Sequence, residues 1–407
     1  MPGRVSGLSP SGAPPADTGE RLGFALLAYM LCVTLIVTLL PFHFAWPGQW
    51  RVMLDFLPVD FTANILMFIP LGFFYRLARS ARAPSALGVM VLGAGLSTLI
   101  ELAQLFEIAR DTSPLDVVAN GAGAGLGALA AGRLAGAVRV GGRLVGWLAL
   151  ELPLMGLVYL LVPLLWVNAL AQQAQVSRIA AGLLLGLFGA ALLGGMQRNY
   201  FGPARASGAH RTAALAALWF AAGAFPAVAD RPLWLILQVA AVAALAWWLG
   251  HYRVAPAASN RRFEVPLLRS SAPIFAAYLA LITGAPLAEG MTAWTIRPGF
   301  PDATAGQVEI LRLLEAAAAF TLVGYMVAEF GGRRTARYAE ALPRLLGWSI
   351  GLACLGEYVR GFHIEGASAA RAVLVVAAAL YGGRLYYLQR AHVVRLLSKD
   401  RPQSGPG

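Results

Sequence analysis

Apolar residues fall into twelve long runs, and most polar residues are gathered into the short segments between them. The runs cover approximately residues 22–41, 61–77, 84–106, 115–135, 144–168, 179–196, 212–229, 233–249, 271–288, 309–330, 343–362 and 368–388. About 20 such residues in a helix cross a hydrocarbon core of roughly 30 Å. The pattern therefore predicts an all-α fold: a polytopic integral membrane helical bundle of about twelve transmembrane helices. Composition agrees, since 58% of residues are hydrophobic, 13% are charged and the mean hydropathy is +0.65, and no water-soluble core could use so many apolar runs. The first 20 residues, rich in Pro, Gly, Ser and Ala, read as a disordered tail. The run Leu22–Leu40 is too long for a signal-peptide core and no small-residue cleavage pattern follows it, so it is expected to remain as the first membrane helix.

Charge then orients the bundle. Assigning alternate connections to opposite sides puts 24 of the 32 basic residues on one side, including Arg76, Arg79, Arg139, Arg205, Arg337 and Arg390. The opposite connections carry a single arginine each: Arg51, Arg110, Arg178, Arg231, Arg297 and Arg360. By the positive-inside rule both termini are expected to be cytoplasmic. The net charge of +12 is thereby spent on topology, and no nucleic-acid partner is expected. Lys399 is the sole lysine, a bias that fits a GC-rich bacterial genome. The expected location is a bacterial cytoplasmic (inner) membrane, crossed many times.

The expected organisation is a tail (1–20), a four-helix membrane domain (21–140), a middle four-helix segment (141–268), a last four-helix segment (269–390) and a basic cytoplasmic tail (391–407). The last segment echoes the first in the same orientation. Phe68-Ile-Pro-Leu-Gly72-Phe answers Phe320-Thr-Leu-Val-Gly324-Tyr, Gly95-Leu-Ser-Thr-Leu-Ile-Glu101 answers Gly351-Leu-Ala-Cys-Leu-Gly-Glu357, and Ala131-Gly-Arg-Leu134 answers Gly382-Gly-Arg-Leu385. A degenerate second copy is expected there, without counterparts of the acidic and amide residues Asp60, Asn64, Asp116 and Asn120.

Candidate chemistry concentrates in the first four runs. Asp60 and Asn64 open the second run, Ser97, Glu101 and Gln104 close the third, Arg110 lies in the next loop, and Asp116 and Asn120 open the fourth. Spacings of three and four residues put each set on one helix face. The alternation of runs brings all of them to one side of the membrane, where three polar faces can converge. Asp60 and Asp116 suit a helix start, whose dipole favours negative charge. Glu101, near a helix end, needs a partner, and Arg110 is the nearest cation in sequence. Gly121, Gly123, Gly125 and Gly127 predict a thin helix face, and Pro70 a kink. Two uses compete for these side chains: interhelical hydrogen bonding worth about 1 kcal/mol per contact, or a functional site, to which several costly ionisable groups on one side of a membrane point. Glu151 reads as a lone polar residue near Pro153.

The motifs Asp60-Phe-Thr-Ala-Asn64-Ile-Leu-Met-Phe68-Ile-Pro70-Leu-Gly72, Ser97-Thr-Leu-Ile-Glu101-Leu-Ala-Gln104, Arg110 and Asp116-Val-Val-Ala-Asn120-Gly-Ala-Gly123-Ala-Gly-Leu-Gly127, in this order, resemble the VanZ-like family of integral membrane proteins over about residues 22–134. That resemblance implies a cell-envelope role associated with resistance to glycopeptide antibiotics of the teicoplanin type. The expected partners are membrane lipids and an envelope glycolipid or cell-wall precursor, bound or shielded. Two other readings stay open: an intramembrane enzyme with Glu101 or Asp116 as general base and Arg110 holding an anion, or a twelve-helix transporter. No catalytic residue is assigned. Cys32 and Cys354 lie inside predicted spans and the five histidines lack ligand spacing, so neither a metal nor a cofactor is expected.

Overall fold

Backbone amides inside hydrocarbon have no water to bond, so each apolar run must close its own hydrogen bonds as a helix. In the computed structural model the runs become twelve α-helices. The described residues are 18–47, 50–79, 84–140, 154–174, 179–200, 206–228, 231–251, 264–285, 290–300, 307–331 and 337–399. The helices are α1 Thr18–Leu39, α2 Pro58–Ala78, α3 Ala86–Gln104, α4 Pro114–Val140, α5 Met155–Ala174, α6 Ile179–Tyr200, α7 Ala206–Gly223, α8 Pro232–His251, α9 Glu264–Gly284, α10 Gln307–Gly331, α11 Tyr338–Arg360 and α12 Ala369–Lys399. Among the described residues, nine of these are long and apolar enough to cross a membrane by length and composition. The chain is thus a multi-pass membrane helical bundle. A parallel pairing of β1 (Ile296–Arg297) with β2 (Ala367–Ser368) is the strand pair among the described residues.

Several boundaries differ from the hydropathy reading. Helix α9 starts at Glu264 rather than near residue 271, because the Ser270 and Ser271 hydroxyls donate back to the Leu267 carbonyl at 2.8 and 2.9 Å and so stay satisfied inside a helix. Helix α12 continues to Lys399, taking the start of the expected basic tail into the helix. Helix α5 is described from Met155, and Glu151, Pro153 and residues 1–17 lie outside the described residues.

The four glycines of α4 serve two neighbours rather than forming one thin face. A Cβ at Gly123 or Gly127 would overlap the Ile65 or Ile69 carbonyl of α2, whereas one at Gly121 or Gly125 would press on Ala94 and Met90 of α3. Pairs four residues apart share a face, and an offset of two turns the second pair towards the opposite side. Helix α4 is therefore clasped between α2 and α3 at close range. Helix α3 keeps a leucine-rich outer face, with Leu87, Val91, Leu99 and Leu102 exposed, and an inner face of Val89, Gly93, Ser97, Ile100 and Gln104.

The middle helices are woven into the rest. Leu157, Leu160, Leu161, Leu164 and Leu165 of α5 are all buried. The main core cluster joins α5 and α6 to residues of α1, α2, α9, α10 and α12.

Candidate functional site

The polar end of α1–α4 is assembled by two loops that cover one another. The Ala45 amide donates to the Phe106 carbonyl at 2.8 Å and the Ile108 amide to His43 at 3.2 Å. The Thr112 amide donates to Arg51 at 3.1 Å, and Met53 to Thr112 at 2.8 Å. The α1–α2 loop thus lies on the α3–α4 loop and presents Trp46, Trp50, Leu54 and Phe56 outward. Phe106 anchors Trp46 and Trp50, with ring centroids 5.7 and 6.1 Å apart. Amphipathic aromatic rings of this kind favour a membrane–water boundary.

Next to these loops the side chains form two layers. In the upper layer Asn64 hydrogen-bonds Asp116, and Asp60 and Glu101 lie near enough to Asp116 to be felt electrostatically. Asp60 is exposed, while Asn64, Glu101 and Asp116 are half-buried. One turn deeper, the Asn120 Nδ2 donates to the Ser97 hydroxyl at 2.8 Å. Both residues are buried, and the Asn120 Oδ1 has no partner among the described residues.

Glu101 and Arg110 do not form the ion pair that their proximity in sequence suggested. Glu101 Oε2 accepts the Ser113 amide at 2.8 Å, so it caps the backbone just ahead of Pro114, where α4 begins. Arg110 turns the other way: its Nε donates to the Leu40 carbonyl at 2.9 Å and its Nη2 to Val37 at 3.2 Å. A cation there satisfies orphan carbonyls and complements the dipole at the end of α1. Burial pulls the Arg110 guanidinium below its ordinary range, against the raising effect of Glu107 and Glu101. Gln104 reinforces the same joint by donating to the Thr38 carbonyl at 2.8 Å. Of the eight candidate residues, Asp60, Asn64, Glu101 and Asp116 form one group, Ser97 and Asn120 its floor, and Gln104 and Arg110 the clamp on α1.

The sequence reading missed Glu107 and the partners of the charged residues in the last segment. Glu107 is 3% exposed, and its Oε2 has no partner among the described residues; the signal was a carboxylate inside Leu105-Phe106-Glu107-Ile108. Glu315 on α10, also buried, accepts Asn168 Nδ2 of α5 at 2.9 Å and the Tyr278 hydroxyl of α9 at 3.0 Å. No spacing rule links residues so far apart. Finally, α10–α12 hold an ion-pair group. Arg371 grips Glu357 through Nε at 2.7 Å and Nη2 at 2.8 Å, and Arg312 meets Glu365 at 2.6 Å and Glu309 at 3.2 Å. Glu365 lies outside the spans. Burial alone would raise its carboxyl, but the hydrogen bond with Glu309 and the charges of Arg312, His363 and Arg360 outweigh this and hold it below the usual carboxylate range.

Residues 22–135 match the family model VanZ/LLP1, so the N-terminal third is VanZ-like, as its motifs indicated. Comparisons with curated proteins and with solved structures return no match.

Proposed function

From a chain whose N-terminal third is a VanZ/LLP1-type domain, we propose a protein of the bacterial cytoplasmic membrane that binds or shields a polar envelope component, an envelope glycolipid or a cell-wall precursor. The observation that carries this reading is the grouping of Asp60, Asn64, Glu101 and Asp116 at one end of three apolar helices, part-exposed and joined through Glu101 to the α3–α4 loop. Ionisable groups in such a place are costly as packing and useful as ligands. The sparse distribution of arginines puts this end outside the cell, where glycopeptide antibiotics and their targets meet. Binding is better supported than catalysis. The Glu101 Oε2 is engaged by a backbone amide, and Arg110 is committed to α1 carbonyls rather than to a substrate anion.

The test is a strain in which deletion of the protein changes susceptibility to a teicoplanin-type glycopeptide. Asp116→Asn retains size and hydrogen bonding to Asn64, and Glu101→Gln retains an acceptor for the Ser113 amide, so both should reach the membrane at normal levels. Both should nevertheless reproduce the deletion phenotype. Wild-type susceptibility in both variants would overturn the reading.

A further inference from the structure

Five of the contacts that build the polar end of α1–α4 recur in α9–α12. A Cβ at Gly72 of α2 would overlap the Ala124 carbonyl of α4, and one at Gly324 of α10 the Ala379 carbonyl of α12. Gly127 lies against the Ile69 carbonyl as Gly382 lies against that of Thr321. The Ser113 amide donates to Glu101 Oε2 at 2.8 Å, and the Ser368 amide to Glu357 Oε2 at 2.7 Å. Gln104 reaches the Thr38 carbonyl at the end of α1, and Arg360 the Ile282 carbonyl at the end of α9. The Thr112 amide donates to Arg51 and the Ala367 amide to Thr295.

These pairs keep a constant register within each element: a shift of 244 residues from the α1 region to the α9 region, 252 from α2 to α10, 256 from α3 to α11 and 255 from α4 to α12. The register pairs Gly127 with Gly382, one helical turn away from the match of Ala131 with Gly382 that the sequence suggested. Chance resemblance in Ala- and Gly-rich text does not preserve side-chain-to-backbone hydrogen bonds.

In this register Glu357 stands for Glu101, but the other charges are exchanged. Arg312 takes the place of Asp60 and Arg371 that of Asp116. Glu365, three residues before Ser368, takes that of Arg110, three before Ser113. In α9–α12 the guanidinium of Arg371 is forked onto Glu357 although that carboxylate also accepts the Ser368 amide. In α1–α4 the same carboxylate accepts the same amide and two aspartates replace the arginines. Arg110 is near enough for Glu101 to feel its charge, but its donors are spent on the Leu40 and Val37 carbonyls, and among the described residues no cation forms an ion pair with Glu101, Asp60 or Asp116. Below them Asn120, 3% exposed, leaves its Oδ1 without a partner.

We infer that α9–α12 are a second copy of the α1–α4 unit that carries its own guanidinium, and that the space among Asp60, Glu101 and Asp116 receives a guanidinium or primary ammonium group from a ligand. This deepens the binding function proposed above and rests on it. Forked pairing favours a guanidinium, and an ammonium meets the same carboxylates as a compact charge. The group can belong to a lipid headgroup or to a soluble amine.

The test uses the full chain in nanodiscs of phosphatidylglycerol, melted with methylguanidinium, methylammonium or the neutral isostere methylurea. Both cations should raise the melting temperature and methylurea should not, and Asp116→Asn should weaken cation binding at least about tenfold. Nanodiscs containing phosphatidylethanolamine separate the sources. A rise in melting temperature with loss of the soluble-cation response assigns the group to lipid, and an unchanged response assigns it to a soluble ligand. Asp116→Arg should pair with Glu101 as Arg371 does with Glu357, melting above Asp116→Asn while no longer responding to either cation. Equal responses of wild type and Asp116→Asn, or no response to any cation or to phosphatidylethanolamine, would overturn the cation site. If the susceptibility phenotype of Asp116→Asn persisted in that event, the binding function would stand and the cation would fall. Asp116→Arg melting below Asp116→Asn would overturn the equivalence of the two copies.

Discussion

Arg110 shows how a residue's role follows from where its donors end. Its guanidinium closes α1 by bonding the Leu40 and Val37 carbonyls, and charged hydrogen bonds of this kind are worth roughly 1.5–3 kcal/mol. Arg110→Ala should therefore destabilise the protein by about 2 kcal/mol, measured by thermal unfolding in detergent. Normal stability with lost envelope function would instead make it a ligand contact. Glu365 has the opposite charge and a pH signature. Its folded pKa is lowered, so its contribution is complete above the ordinary carboxylate pKa and is lost as pH falls through the folded value. Melting temperature should fall on acidification below about pH 4, and Glu365→Gln should flatten that limb of the profile while lowering stability at neutral pH.

At the scale of helices, backbone approach decides what is tolerated. Gly127 touches α2 at the Ile69 carbonyl, and any side chain there must push α4 away from α2. Gly127→Val should reduce folded yield sharply, as should Gly382→Val in α12, whereas Gly95→Ala, with open space around it, should be silent by the same fluorescence-detected chromatography. A second joint ties three distant helices, since Glu315 of α10 accepts from Asn168 of α5 and Tyr278 of α9. Removing a buried acceptor leaves donors unpaired, and polar contacts between membrane helices are worth about 0.6–1.7 kcal/mol. Glu315→Leu should cost about that much per lost bond and should loosen the middle helices, seen as earlier proteolysis at the α5–α6 connection.

For the whole molecule the orientation rests on arginine bookkeeping. Reporter fusions after Arg79, Arg139, Arg205 and Arg337 should report cytoplasm, and fusions near Arg110 and Arg297 the exterior. An exterior signal at Arg205 would break the alternation, because a miscounted span inverts every later loop.

The sequence by itself determined the solvent, the element type and the side of the bundle. Long apolar runs have one stable form in lipid, alternation sends Asp60, Glu101 and Asp116 to one end, and spacings of three and four choose their faces. Tertiary structure decided the partners. Glu101 pairs with a backbone amide across a loop and Arg110 with carbonyls about seventy residues away in sequence, and backbone donors and acceptors leave no mark in the residue code. The glycines of α4 divide between two neighbours because a helix has more than one close side, which a single-strand reading of spacing cannot apportion. The charges of α9–α12 looked like a lost pattern along the chain. They became an exchanged one only when matched contacts supplied the register, since a register among helices is a property of packing and not of any one segment.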